Sequence, residues 1–255
     1  MGTDFGRAGE GRFKVFGPRL QRNLQPCYAT SAAASSWSVC LRIQHIGFRL
    51  LLLITKPRTV EQSDSAAVNA TLKETGALTT ILKAIHFAAQ KHCIQRRRDE
   101  LTPYINHPIA VAEVLARVGK VTDLPTLEAA VLHDTIEDTD TTAEELDERF
   151  GSEVRVLVLE VTDNKQLPKQ ERKRLQIEGA SGLSSRAKQI KIADKICNLG
   201  DITLSQPPDW PLERKRGYLD WAEKVVAGCR GCNLFLEQHF ESVLTEKRTL
   251  LATGP

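Results

Sequence analysis

From residue 78 onward the apolar positions fall at helical intervals. Leu78, Ile81, Leu82, Ile85, Ala88 and Ala89 mark one face, and Ile109, Val111, Ala112, Val114 and Leu115 mark another amphipathic segment. A third helix is predicted over Leu127 to Asp138, with Pro125 near its start, where proline is favoured. Thr142-x-x-Glu145 is a capping-box pattern, and Gly151 follows Phe150 where a residue of positive φ closes a helix. Further helices are predicted over 152–161, 169–178, 184–199, 211–227 and 232–244. The run Val154 to Val161 is rich in β-branched residues, yet Val154, Leu157 and Val158 also share a helix face. No segment alternates as a half-buried strand does. The pattern therefore predicts an all-α bundle of about eight to ten helices.

The first 75 residues have a different character. Nine Lys and Arg, but only Asp4 and Glu10, precede Glu61, and Ser and Ala are enriched around Ser31 to Ser38. That is the composition of an organelle transit segment. The run from Leu50 to Ile54 is bounded by Arg49 and Lys56 and falls short of the ~20 residues a membrane span needs. Small polar residues from Gln62 to Gly76 suggest a linker. The expected organisation is a disordered or targeting-like extension over 1–75 and one domain over 76–250. No synthetase or regulatory domain is expected after it, since about ten residues follow the last predicted helix. Six cysteines lack metal-site spacing apart from Cys229-Arg-Gly-Cys232, which has no second pair, so reduced intracellular thiols are expected. A net charge of +3 is too small to argue for nucleic acid, and neither a membrane partner nor an oligomeric state is indicated.

The chemistry concentrates in the run His133-Asp134-Thr135-Ile136-Glu137-Asp138. On one continuous helix these four polar side chains fall within an arc of roughly 140°, so an imidazole and three carboxylates crowd one cavity. His107 precedes the second helix, and Asp194 lies on the 184–199 helix with Asn198 four residues on, sharing its face. His107, His133, Asp134 and Asp194 form a ligand set of two nitrogens and two carboxylates. Such a set suits an open octahedral ion, Mn²⁺ foremost, with Zn²⁺ and Fe²⁺ as open alternatives. Glu137 and Asp138, one turn beyond the His-Asp pair, are placed for acid/base work. His86, His92 and His239 carry no such context and are given no role.

In order, the segments TPYINHP (102–108), LHDTIEDT (132–139), VTDNKQLPK (161–169) and IKIADKICNL (190–199) resemble the HD-domain phosphohydrolases. More specifically they resemble the hydrolase module of RelA/SpoT enzymes in its small metazoan SpoT-homologue branch, over about residues 77 to 245. The resemblance implies an HD-domain bundle and a Mn²⁺-dependent hydrolase that removes the 3′-pyrophosphate of (p)ppGpp. It links the animal branch also to the 2′-phosphate of NADPH. It assigns acid/base work to Glu137 and Asp138, and it maps substrate contacts onto Arg97, Arg98, Tyr104, Lys169, Asn198, Arg214 and Tyr218. The chain departs from the family with Arg98 for lysine, a 100–102 loop one residue shorter, Gly200 for a basic residue and Cys197 for an aromatic one. Two alternatives stand beside this expectation: a general HD-type nucleotidase, and a nucleotide-sensing module without activity. The resembled family works in the cytoplasm, which ranks that location above mitochondrial import through the extension.

Overall fold

In a computed structural model the described residues are 61–203 and 207–253, with side chains described from residue 75. The transit-like stretch and the Leu50 to Ile54 run lie outside them. Among these residues ten α-helices follow in order: α1 (Glu61–Lys91), α2 (Asn106–Arg117), α3 (Leu124–Leu132), α4 (Thr135–Asp138), α5 (Ala143–Phe150), α6 (Ser152–Val161), α7 (Lys169–Gly179), α8 (Ser185–Gly200), α9 (Leu212–Cys229) and α10 (Leu234–Thr253). A short 3₁₀ turn, Ala180–Gly182, joins α7 to the segment before α8. The described residues contain no strand, only one isolated bridge between Arg96 and Pro103. None of their helices is long and apolar enough to cross a membrane.

Local sequence explains most of the boundaries. Asp123 caps α3 by accepting from the Thr126 N–H, with Pro125 in the first turn, and Ser184 caps α8 by accepting from the Ala187 N–H. Thr142 accepts from Glu145 N, as its spacing predicts, and Gly151 takes φ +86° between α5 and α6. Three expectations are corrected. Residues 62–76, read as a linker, are helical from Glu61, and the alanines at 66, 67 and 70 with no proline or glycine before Gly76 favour that state. The last helix runs on to Thr253. The helix predicted over Leu127 to Asp138 is broken: α3 stops at Leu132, His133 and Asp134 form a turn, and α4 begins at Thr135. The Thr135 hydroxyl donates to the Leu132 carbonyl at 2.7 Å and so satisfies a helix end at the break.

Helix α8 is the centre of the bundle, packed against α2, α3, α6, α9 and α10. Ala187, Ile190, Ile192, Ala193, Ile196 and Leu199 are all buried, so the helix is covered on nearly every side. It therefore also buries Lys191, Asp194 and Lys195, whose charges must find partners inside the protein.

Candidate metal and nucleotide site

The break between α3 and α4 turns His133 and Asp134 toward α8, while the first turn of α2 brings in His107. His107, His133 and Asp194 are buried and present donor atoms that all lie within 4.8 Å of one another. Asp134 Oδ2 stands 3.1 Å from His133 Nε2 and 3.8 Å from His107 Nε2. His107, His133 and Asp194, with Asp134 beside them, make a candidate His/Asp metal site, and its details fit a cation. The Nδ1–H of His133 donates to the Ala130 carbonyl at 2.8 Å, which turns Nε2 into the site. That Nε2 is buried and, although 3.1 Å from Asp134 Oδ2, makes no hydrogen bond of good geometry. A buried, unpaired imidazole nitrogen among carboxylates is what a cation would satisfy.

The surrounding groups hold the carboxylates in place. Asp194 Oδ1 meets His107 Nε2 at 3.1 Å and accepts from Asn198 Nδ2 at 2.5 Å, and its Oδ2 accepts from Lys195 Nζ at 2.7 Å. Burial alone would raise the Asp194 pKa, but Lys195, then His107 and His133, hold it well below the usual carboxylate range. Burial opposes the charge on His133 as well, and Asp134 overrides it, raising that imidazole to about 9, so a bound cation would take the place of a proton on Nε2. The Tyr104 hydroxyl donates to Asp134 Oδ2 at 2.7 Å, and burial followed by that carboxylate pushes the phenol far up, so it stays a donor.

Glu137 and Asp138 occupy the same cavity with different partners. Glu137 accepts from the Asp163 N–H at 3.1 Å and lies 3.5 Å from Arg172 Nη1. Burial, and then the Asp163 carboxylate, raise its pKa. Asp138 is ion-paired with Lys165. The two carboxylates are thus held apart chemically by the segment that joins α6 to α7.

A cavity of about 430 Å³ is lined by every residue expected at the site except Arg214. Arg97 is pinned, its guanidinium bonded to Asp201 at 2.5 Å and to Asn198 at 3.0 Å, and it stacks on Tyr104 at 5.4 Å. Arg98 stacks on Trp210 at 4.8 Å, and Arg214 reaches the same ring at 4.3 Å. Trp210 lines a hollow that adjoins the cavity and shares Arg97, Arg98, Asn198 and Tyr218 with it. From Trp210 an aromatic row continues through Tyr218 to Trp221, in steps of 5.5 and 5.2 Å. Lys173 and Lys195 each lie 4.7 Å from the Trp221 ring.

Several participants escaped the sequence reading. Asp163, Lys165, Arg172, Lys173, Lys191 and Lys195 all line the cavity. His92, given no role, is buried beneath Tyr104 with ring centroids 5.0 Å apart, and its Nδ1–H donates to Gln95 Oε1 at 2.7 Å. Gln95 in turn donates to the Asp138 carbonyl at 2.6 Å. The charged segment 161–174 gave the one usable signal, since Asp163, Lys165 and Arg172 stand beside Glu137 and Asp138.

Comparison with known proteins follows the same lines. Residues 84–216 match the family described as HD domain. The chain is 51% identical over 168 residues to guanosine-3′,5′-bis(diphosphate) 3′-pyrophosphohydrolase MESH1 of Xenopus tropicalis, covering 66% of this chain and 94% of that protein. Its identity to the protein of the same name from Homo sapiens is 50%, with the same shares. A solved structure described as a metazoan ortholog of SpoT that hydrolyzes ppGpp and plays a role in starvation responses superposes with a TM-score of 0.63. It is 46% identical and covers 66% of this chain and 95% of that one. An HD-type bundle, a buried His/Asp site and half-identical relatives matched over nearly their whole length place this chain in the HD-domain family, in the metazoan SpoT-homologue branch of guanosine-3′,5′-bis(diphosphate) 3′-pyrophosphohydrolases.

Proposed function

We propose that the protein is a Mn²⁺-dependent hydrolase that removes the 3′-pyrophosphate of guanosine-3′,5′-bis(diphosphate). The observation that carries this reading is the unpaired Nε2 of His133, buried beside three further donor residues inside a cavity whose opposite wall is cationic and aromatic. His107, His133, Asp134 and Asp194 would hold the ion. When bound, it supplies Lewis-acid polarisation of a phosphoryl oxygen and acidifies nearby water. The protein's own groups do the rest. Glu137, whose burial favours taking up a proton, receives one from the attacking water, and Asp138, held by Lys165, orients that water. Arg97, stacked on Tyr104 and locked by Asp201 and Asn198, offers a fixed guanidinium face for the purine. Lys169, Arg98, Arg214 and Tyr218 take the phosphates and ribose farther from the ion.

A single assay of the purified protein with Mn²⁺ tests the reading. Pyrophosphate release from guanosine-3′,5′-bis(diphosphate) is expected, with NADPH as a second substrate to compare and a plain nucleoside monophosphate left intact. Equal turnover of the monophosphate would make the protein a general nucleotidase instead.

A further inference from the structure

We infer that Trp210 is a positioning residue that gathers Arg98 and Arg214 into one anion-binding fork for the part of the substrate farthest from the ion. The inference rests on the reading of the cavity as a nucleotide site. Arg98 and Arg214 are 116 positions apart in sequence, yet each has its guanidinium over the one indole, at 4.8 and 4.3 Å from its centroid. The ring itself is immobilised: Trp210 is only 8% exposed, and Tyr218 packs on it at 5.5 Å. Arg214 has a distant carboxylate, Asp209, at 3.8 Å and largely in solvent, too weak a partner to fix it.

Two guanidiniums on one ring repel each other, and the π-face offsets that repulsion without neutralising either charge. The fork is therefore complementary to an anion. Lys169 extends it. Burial, and then the charges of Arg214 and Arg98, lower the Lys169 ammonium pKa, so Lys169 lies close enough to feel both guanidiniums. Trp210 touches no reacting atom in this account; it acts through the arginines.

The test is a mutant cycle on the full chain loaded with Mn²⁺, read by calorimetric binding of guanosine 5′-diphosphate, which needs no turnover. Trp210→Leu is expected to weaken binding about tenfold, the loss of two partly desolvated cation–π contacts, and Trp210→Phe to restore part of it. Arg214→Gln should weaken binding similarly in the native protein and add little in the Trp210→Leu protein. Turnover of guanosine-3′,5′-bis(diphosphate) should show the change in KM, with kcat within twofold and Mn²⁺ content unchanged. Undiminished affinity in Trp210→Leu, additive losses in the cycle, a fall in kcat at constant KM, or no binding to the native protein would each overturn the inference. Should Trp210→Leu fail to fold, the same cycle on Trp210→Phe decides it. Absent pyrophosphate release by a native protein that binds guanosine 5′-diphosphate through this fork would instead count against the proposed function alone.

Discussion

The two ends of the cavity handle charge in opposite ways. At the metal end each carboxylate has a matched partner: Lys195 on Asp194, Tyr104 on Asp134, Lys165 on Asp138. At the far end, and in the hollow that adjoins it, cations rest on aromatic rings, with Arg98 and Arg214 on Trp210. The first end is built to keep its geometry whatever enters, because buried ions leave no slack. The second leaves the charges of Arg98 and Arg214 largely uncompensated and ready for an anionic ligand. A hydrolase acting on a doubly phosphorylated nucleotide needs both, a fixed centre for the chemistry and an unsatisfied one for binding.

Mutations at the metal end should therefore lower kcat, and those at the far end should raise KM. The largest effect is expected for His133→Ala or Asp134→Asn, with no measurable turnover and Mn²⁺ lost from the purified protein. Circular dichroism should still show the native helical content, because α3 keeps its buried Ala129, Ala130, Val131 and Leu132. Full Mn²⁺ retention with activity would remove these residues from the ligand set. Next, Glu137→Gln combined with Asp138→Asn should keep the ion but lose turnover on the order of 10²-fold or more. A parallel loss of metal would place that pair among the ligands.

Lys195→Met probes the support behind a ligand. Removing the cation from Asp194 should weaken Mn²⁺ binding by about 10–100-fold, the range seen when outer partners of a metal ligand are lost. Unaltered affinity in a metal titration would show that Asp194 needs no such partner. The smallest effect belongs to the binding end. Asp201→Asn frees Arg97 from an ion pair that is half in solvent on the Asp201 side, so KM should rise by about fivefold at most, with kcat constant. A kcat effect there would break the division between the two ends.

The same division explains what the sequence discloses. The metal end is legible because His107, His133, Asp134, Glu137, Asp138 and Asp194 sit in short strings whose spacing already constrains them. The helices are legible from apolar periodicity, and α6 and α8 match their predicted limits within a residue. The turn at His133 and Asp134 is not, since both take helical dihedrals and no proline or glycine marks the break. The far end is hidden for a different reason. Trp210 meets Arg98 across 112 positions, and Gln95 meets Asp138 across 43, so only the packed fold brings them together. His92 looked ordinary in sequence because its role depends wholly on Tyr104 being above it.

The most direct test of the central claim is Mn²⁺ titration of the chelator-stripped protein while pyrophosphate release from guanosine-3′,5′-bis(diphosphate) is followed. Release should be absent without metal, saturate at one bound ion per chain, and leave guanosine 5′-diphosphate as the other product. Release that persists in excess chelator, or orthophosphate in place of pyrophosphate, would contradict the account.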